Sequence, residues 1–311
     1  MRDGFVVHPV SNNRISFGDL VSKASNLPLP ENPTIKQDKF YLIGKPVQRW
    51  DTGEKINGSA TYGADVELPN LLYGTVVHAP ILGSKITKVD DAKAKAFPGY
   101  LAAIPFHDQV VVVANSTWSA FKSTEMLTIE TEGGFPSLSD EIISKKLQDD
   151  AKKEGVAAGN RLGNVEEAFK NASTVIEYEY TLPIQAHACM EPLTATANVV
   201  EDSCEFWGPI QSQDVPVLVA MQAAGSKPEK VKVHMTYLGG GFGRKVEADY
   251  VIALIVASKL MNRSVKVTWS READMRGGVY RPPTLVKLKA GLDADNLPIG
   301  IKAKVVAPSA S

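Results

Sequence analysis

The amino-acid sequence predicts a mixed α/β and α+β fold, with two domains behind an extended N-terminal arm. A chain of 311 residues is long enough for two hydrophobic cores. Strand-like and helix-like segments alternate from about residue 54 onward, which is typical of α/β architecture. One polar, glycine-punctuated stretch at 134–163 interrupts this alternation and indicates a linker.

The first part of the chain predicts an arm followed by a small domain. Residues 1–53 contain the turn-rich segment PLPENP and few periodic apolar positions, which favours an extended arm. Between residues 54 and 133, strands are indicated by LLYGTVVHAP and LAAIPFHDQVVVVANS. A helix that leads into a strand is indicated by STWSAFKSTEMLTIE. We therefore predict one small α/β domain at 54–133.

The second part, 164–311, predicts a larger and incomplete domain. The linker before it carries one charged helix that we expect to be exposed. A hairpin is expected around Glu201-Asp202, an apolar helix that ends at Gly225, and a second hairpin at Asp293–Asn296. The segment VEADYVIALIVASKL is apolar nearly all round, so it predicts a buried helix. The chain stops in APSAS, in the middle of this pattern.

Composition excludes several classes of function. The formal net charge is −1, so no overall field favours nucleic acid or an anionic membrane. The apolar runs are too short to cross a bilayer, and the first twenty residues lack the order of a secretory signal. Cys189 and Cys204 are the two cysteines, too few for an iron–sulfur cluster or an all-cysteine zinc site. We predict no nucleic-acid partner and no membrane span.

The segment YLGGGFGRK, residues 237–245, is the strongest candidate for a site. It lies between a predicted strand and a predicted helix, but it matches neither the dinucleotide-binding fingerprint nor the phosphate-binding loop. Unhindered amides at the start of a helix favour negative charge, and Arg244 adds a cation. A tight turn that lets the helix pack on the strand is the alternative interpretation.

A second constellation predicts a different chemistry. The segment AHACMEP places His187, Cys189 and Glu191 at alternate positions. On a strand these three side chains share one face, and each can bind zinc. A zinc-dependent hydrolase is therefore an alternative, although the other histidines are scattered along the chain.

The glycine segment also carries a family resemblance. GGGFGRK, preceded by Gln211 in FWGPIQSQD, resembles the molybdenum hydroxylases of the xanthine dehydrogenase and aldehyde oxidase group. The large, molybdopterin-binding subunit of the isoquinoline 1-oxidoreductase type is most similar. Four further segments occur in the order in which this family has them: KINGSATYGADVELPNLLYGTVVHAP, VVVANSTWSAF, AHACMEP and YRPP. The resemblance implies a hammerhead-like α/β domain at 54–133 and the first part of a molybdenum-cofactor-binding domain at 164–311.

The resemblance implies a cofactor site on the glycine segment. Backbone amides near Phe242 and Gly243 are expected to face the oxygens of the molybdenum, and the phenyl ring to shield them from water. The Gln211 side-chain amide is expected to donate to the cofactor, and Arg244 to meet an anionic part of it. The implied cofactor-binding residues are Gln211, Gly239, Gly240, Gly241, Phe242, Gly243 and Arg244.

The resemblance also implies an oxidoreductase that needs further polypeptide. Such enzymes hydroxylate N-heterocycles or oxidise aldehydes with water as the oxygen source, and a glutamate acts as base. That glutamate belongs to a later part of the large chain, so no catalytic residue is expected in this sequence, which is expected to be inactive alone. Val246 stands where the xanthine-oxidising branch has an acidic residue, which argues against purines.

The implied cofactor is molybdopterin, in its cytosine dinucleotide form. The implied partners are a small iron–sulfur subunit, a chain or segment that completes the cofactor domain, a small-molecule substrate and a cytochrome acceptor. Relatives of this type point to the periplasm, although this sequence shows no export signal. A non-catalytic scaffold that kept the fold and lost the metal is the remaining alternative.

Overall fold

The protein is described by a computed structural model, which places 4–33, 35, 37–38, 40–157 and 162–308. Residues 158–161 of the predicted linker and the terminal residues 1–3 and 309–311 lie outside the described residues. The chain divides into two compact units, Met1–Gly58 and Ser59–Ser311.

The first unit contains short elements that the sequence did not reveal. Strands β1 (Phe5–Val7) and β2 (Arg14–Ser16) pair antiparallel, and helices α1 (Phe17–Ala24) and α2 (Thr52–Asn57) follow. The Ser16 side chain caps α1 by accepting a hydrogen bond from the backbone N–H of Asp19 at 3.1 Å. The prediction of an extended or loop-rich arm did not include these elements, because segments of three to eight residues are too short to show a reliable period.

The second unit holds the remaining helices and strands. Its strands are β3 (Leu72–His78), β4 (Ser84–Asp90), β5 (Tyr100–Phe106), β6 (Gln109–Ala114), β7 (Thr128–Gly133), β8 (Thr174–Leu182), β9 (Thr194–Val200), β10 (Ser203–Gly208), β11 (Val231–Met235), β12 (Val265–Thr268), β13 (Thr284–Leu292) and β14 (Pro298–Val306). Its α-helices are α3 (Thr117–Thr124), α4 (Asp140–Ala151), α5 (Val165–Asn171), α6 (Asp214–Val219), α7 (Asp249–Met261) and α8 (Arg271–Arg276).

A seven-stranded mixed sheet forms the centre of the second unit. Its strand order is β11-β10-β9-β12-β3-β6-β5. Strand β3 pairs in parallel with β12, with Leu72 opposite Val265. Three strands from 54–133 therefore share one sheet with four strands from 164–311. Pairing between strands nearly two hundred residues apart leaves no mark on the local sequence pattern.

The core lies between this sheet and α7, which packs on β9 and β12. Val251, Leu254 and Ile255 of α7 are completely buried, and so is every residue of β6 from Val110 to Ala114. The prediction of a buried helix after the glycine segment is confirmed. Ser258 joins helix to sheet, because its hydroxyl accepts a hydrogen bond from the Val199 N–H at 2.9 Å.

A separate three-stranded sheet has the order β14-β13-β8. Helix α4, from the predicted linker, packs on it and buries Leu147 and Ala151 against Leu285. The expectation that this charged helix is exposed is therefore wrong for one of its faces. Two buried positions among twelve mostly polar residues are too few to give a visible apolar stripe.

Three predicted turns are confirmed. Gly225 ends the helical segment with a φ of 72°, the left-handed conformation that glycine adopts without strain. The β9–β10 hairpin turns at Glu201, and the β13–β14 hairpin turns where the Asp293 carboxylate accepts from the Asp295 and Leu297 N–H groups. Among the described residues, no helix is long and apolar enough to cross a membrane.

Candidate functional site

The glycine segment forms a loop in which three residues have left-handed backbone conformations. Gly240, Phe242 and Gly243 have φ values of 99°, 53° and 95°. The loop leads into a single 3-10 turn, Arg244–Val246, and α7 begins only at Asp249. The expectation that these amides head a long helix is therefore wrong. The glycines instead permit a backbone path that residues with a Cβ adopt only with strain.

Glu191 holds the start of this loop in place. One carboxylate oxygen accepts from the Gly239 N–H at 3.0 Å and from the Lys245 Nζ at 2.6 Å, and the other accepts from the Gly63 N–H at 2.9 Å. The Glu191 N–H donates in turn to the Gly239 carbonyl at 3.0 Å. A Cβ at Gly239 would lie 2.4 Å from the Cβ of Glu191, so glycine is required there by close approach.

The two cations after the glycines point into the protein. Lys245 is fully buried, and its charge is matched by Glu191. Arg244 is 2% exposed and makes two hydrogen bonds to Asp249, at 2.8 and 2.6 Å. Its guanidinium also lies 5.3 Å from the ring centre of Trp269. The planar fork of Arg244 is thus bound to a carboxylate, and its contact with an anionic part of the cofactor stays a prediction.

Gln211 lies beside the loop. Its Oε1 accepts a hydrogen bond from the Gly243 N–H at 3.1 Å. Because an N–H requires an acceptor, this contact assigns the Oε1 of the side-chain amide to the Gly243 N–H and leaves its NH₂ group for another acceptor. Within the described residues, that NH₂ group donates to no acceptor.

The adjacent backbone amides of Gly240, Gly241 and Phe242 have no acceptor among the described residues. Gly239 and Gly243, by contrast, donate to Glu191 and Gln211. Phe242 is 62% exposed, so its phenyl ring stands in the open beside these amides. Adjacent unpaired N–H groups form a binding place for anions or other strong acceptors.

A cavity of about 470 Å³ opens beside Phe242. It is lined by Gln185, Ala186, His187, Phe242 and Arg281. The Arg281 guanidinium donates to the Phe242 carbonyl at 3.3 Å, and the backbones of Arg281 and Gln185 form an isolated β-bridge. The loop is therefore open to a ligand rather than enclosed in the protein's own packing.

The cavity has a positive electrostatic environment. Burial lowers the pKa of His187 below its ordinary value of 6.5, and the charges of Arg244 and Arg281 lower it further, against a smaller opposing effect of Asp274. The Nδ1 of His187 is buried and has no hydrogen-bond partner. His187 is thus neutral near pH 7 and available to a ligand as a donor or an acceptor.

The zinc constellation is not formed. Ala188 has a φ of 47° and the segment is not a strand, so the alternation that would align His187, Cys189 and Glu191 is broken. Cys189 is buried with its thiol against the Gly241 carbonyl, and Glu191 is bound to the loop. Across the part of the chain that is described, no group of three or more His, Cys, Asp or Glu side chains is placed to hold a metal ion.

Sequence reasoning missed two residues of this site. Glu191 had been considered only as a zinc ligand, and Arg281 only as part of the YRPP segment. The close sequence neighbours of Glu191 give no sign of a partner, since Gly63 lies 128 residues away. An acidic residue that matches the buried Lys245 was the one available signal, because a buried cation requires a counter-charge.

Comparison with known proteins identifies the family. The family model described as molybdopterin cofactor-binding domain matches residues 147–309. The membrane-bound aldehyde dehydrogenase [pyrroloquinoline-quinone] of Gluconacetobacter polyoxogenes is 32% identical over 91% of this chain and 39% of its own length. The beta subunit of isoquinoline 1-oxidoreductase from Brevundimonas diminuta is 28% identical over 87% of this chain and 36% of its own. The chain thus spans about two fifths or less of these relatives.

Solved structures show the same fold. The aldehyde oxidoreductase from Desulfovibrio gigas superposes with a TM-score of 0.66 at 17% identity, over 83% of this chain and 34% of that one. Quinoline 2-oxidoreductase from Pseudomonas putida 86 gives 0.63 at 19% identity, over 84% and 39%. These similarities confirm the predicted mixed α/β fold class. The chain belongs to the molybdopterin cofactor-binding family, together with molybdenum-binding subunits of aldehyde oxidoreductases and xanthine dehydrogenases.

Proposed function

We propose that this chain forms one wall of the cofactor site in a molybdenum-dependent hydroxylase that oxidises an aldehyde or an N-heterocycle. The observation that carries the proposal is the set of unpaired amides of Gly240, Gly241 and Phe242, together with the open cavity that Phe242 lines. The residues present fit the cofactor, since these donors, the Gln211 NH₂ group and the Arg281 guanidinium all suit a ligand rich in oxygen and negative charge.

The residues of this chain have separate tasks in the proposed site. The three amides and the Gln211 NH₂ group bind and orient the cofactor. The exposed Phe242 ring covers it and excludes water, and Arg281 matches negative charge at the cavity. When bound, the cofactor supplies the two-electron oxidation of the substrate, with water as the source of oxygen.

The general base is supplied by other polypeptide in this proposal. The two carboxylates that bind side chains of this segment, those of Glu191 and Asp249, are both occupied. Glu191 accepts hydrogen bonds from Lys245 and two backbone amides, and Asp249 is paired with Arg244. This occupancy, and the two-fifths coverage of the relatives, support a chain that is inactive alone.

The finer assignments belong to the same proposal. They are a cytosine dinucleotide form of molybdopterin, iron–sulfur clusters on a small partner subunit, a cytochrome acceptor and a periplasmic location. Two of the relatives are named as single subunits, one of isoquinoline 1-oxidoreductase and one of nicotinate dehydrogenase. These names support a heteromeric enzyme.

Metal analysis tests the proposal directly. The chain is co-produced with the proteins encoded beside its gene in a host that makes molybdenum cofactor, and it is purified through a tag. We expect molybdenum to co-purify in proportion to the chain. Gln211→Ala and Phe242→Ala should each lower the molybdenum content at least threefold, since they remove a donor group and a cover.

The control for this test is Met190→Ala, whose side chain is 89% exposed near the site. It should leave the molybdenum content unchanged. Phe242→Ala should also leave the free energy of unfolding within about 0.5 kcal/mol of that of the original protein, as substitutions of exposed residues usually do. A stable complex without molybdenum would favour the scaffold alternative. Oxidation of an aldehyde by the purified chain alone would contradict its proposed dependence on other polypeptide.

A further inference from the structure

Two backbone contacts anchor the ends of the segment 185–193. The Trp269 N–H donates to the Leu193 carbonyl at 2.9 Å. At the other end, Gln185 and Arg281 exchange two hydrogen bonds, at 3.3 and 2.9 Å. The residues between these anchors form no helix or strand, so their carbonyl groups depend on side chains or water for hydrogen bonds.

The Arg271 side chain binds the middle of this segment. Its Nη2 donates to the Cys189 carbonyl at 2.6 Å and to the Met190 carbonyl at 3.1 Å. Among the described residues, no other donor is bonded to these two carbonyls. The Nη1 of Arg271 donates to Asp274 on the same helix, α8, at 2.5 Å. The Asp274 side chain is only 4% exposed, so this ion pair holds the guanidinium in one orientation.

The same segment contacts the glycine loop through two carbonyls of that loop. The Glu191 N–H donates to the Gly239 carbonyl at 3.0 Å, and the Cys189 thiol donates to the Gly241 carbonyl at 3.4 Å. A trans peptide is planar, and its C=O and the following N–H point in opposite directions. Each contact therefore turns the next N–H along the loop away from the segment.

Those two N–H groups belong to Gly240 and Phe242, and neither has an acceptor among the described residues. We propose that Arg271 is a positioning residue of the candidate site, which aims these two amides by fixing the segment at Cys189 and Met190. The inference rests on the proposed function, because the two amides are among the groups proposed to bind the cofactor. Arg271 itself touches no cofactor in this proposal and acts only through the segment.

The position requires the geometry of a guanidinium. The planar fork of arginine donates in several fixed directions at once, so one side chain can bind a carboxylate through one nitrogen and two carbonyls through another. The ammonium of lysine is a point charge on a flexible stem and lacks this geometry. Arg271→Lys therefore keeps a charge opposite Asp274 but loses the fixed spacing to the two carbonyls. Arg271→Ala loses both.

Nuclear magnetic resonance of the loop amides tests the proposal without any cofactor. The full chain is produced with ¹⁵N-labelled glycine and phenylalanine, with and without the Arg271→Ala substitution. We expect the amide signals of Gly240, Gly241 and Phe242 to move. The signal of Gly225, which ends the helical segment of α6, should stay in place. Arg271→Lys should move the same loop signals by a smaller amount.

Chemical rescue separates positioning from a general loss of stability. The Arg271 side chain is 41% exposed, so a small cation can reach the space that Arg271→Ala opens. Ethylguanidinium matches the deleted group and should return the loop signals toward their original positions. Ethylammonium at the same concentration should leave them displaced, because it lacks the planar fork.

Arg276→Ala is the matched control, since Arg276 is an exposed arginine in the last turn of the same helix. It should move none of the loop signals. In the co-produced complex, Arg271→Ala should lower the molybdenum content at least threefold, because the amides no longer point at the cofactor. Arg276→Ala should leave the molybdenum content unchanged.

Several results would overturn the proposal: loop signals that Arg271→Ala leaves in place, equal displacement of the Gly225 signal, rescue by both cations alike, or an unchanged molybdenum content. If Arg271→Ala does not fold, the spectrum of Arg271→Lys decides, and undisturbed loop signals there would overturn the proposal. The proposed function can fail separately. Displaced loop amides in Arg271→Ala, together with an original complex that contains no molybdenum, would contradict the proposed function alone.

Discussion

At the scale of single residues, Glu191 holds the start of the glycine loop of the candidate site. It connects Gly63 with Gly239 and Lys245 of the glycine segment, which lies far from Gly63 in the sequence. The Lys245 side chain is fully buried and that of Glu191 is 11% exposed, so neither charge is well solvated. The position of the free amides of the loop therefore depends on a buried ion pair.

Removal of one partner of this pair should be costly. Glu191→Gln leaves the buried Lys245 ammonium without a counter-charge, and we expect a loss of about 3 kcal/mol or more in the free energy of unfolding. The double variant Glu191→Gln/Lys245→Met removes both charges and should recover at least half of that loss. Urea unfolding followed by circular dichroism measures both. Purely additive losses would contradict the interpretation of a coupled pair.

At the scale of elements, the ends of helices follow local backbone rules. The helical segment that begins with α6 continues as a π-helix, Ala220–Ala224, and ends at Gly225 in the left-handed conformation. Helix α7 ends at Asn262, whose φ is 50°. Glycine and asparagine are the residues that adopt this conformation most readily, so both ends follow directly from the residue type.

The Gly225 position gives a clean measure of this effect. A Cβ there meets nothing within 4 Å, so a substitution tests backbone conformation without a clash. Gly225→Ala should lower the free energy of unfolding by about 1 kcal/mol, because alanine is disfavoured in the left-handed region. The loss of unfolding free energy should be smaller for Gly225→Asn than for Gly225→Ala. Equal stabilities of all three proteins in urea unfolding would show that the cap does not contribute.

At the scale of the whole molecule, the stability of the second unit is expected to depend on pH through buried histidine. Burial lowers the pKa of His78; Arg244 lowers it further, and Asp108 and Asp249 oppose the shift. Both ring nitrogens of His78 are buried without a partner, and the ring lies 4.6 Å from that of Trp269. His187 has its pKa shifted in the same direction.

The sign of the pH effect follows from proton binding. Below the ordinary histidine pKa of 6.5, the unfolded chain takes up protons that the folded chain excludes. Stability is therefore full above pH 6.5 and falls as the pH drops from there toward the lowered pKa. The loss is about 1.4 kcal/mol for each tenfold weakening of proton binding to a histidine by folding. Urea unfolding at a series of pH values between 8 and 5 measures this slope.

His78→Phe provides the comparison for this slope. The variant removes one titrating group, so its loss of stability between pH 6.5 and 5 should be shallower than that of the original protein. Above pH 7.5 the two curves of unfolding free energy against pH should run parallel. This holds whatever stability the variant loses through altered packing on Gly277 and Trp269. Identical slopes of the two proteins at acid pH would exclude His78 as the source of the pH-dependent loss of stability.

The sequence was sufficient for features that depend on local backbone chemistry. Glycine-rich stretches, turn residues and an apolar 13-residue helix indicate conformation without reference to distant residues, so the loop, Gly225 and α7 were all located. The glycine motif with Gln211 also identified the family correctly. The alternation in AHACMEP was misleading, because Ala188 adopts a left-handed φ of 47° that residue type does not predict.

Only the tertiary structure decided which groups at the site are free. The sequence placed Arg244 among the ligand-binding residues, whereas folding pairs it with Asp249 and leaves the amides of Gly240 to Phe242 without partners among the described residues. The tertiary structure also joined β3 to β12 in the seven-stranded sheet, and it left one apolar face of the three-stranded sheet β14-β13-β8 open. Such pairings depend on contacts between segments far apart in the chain, where charge neutralisation and burial outweigh any local preference.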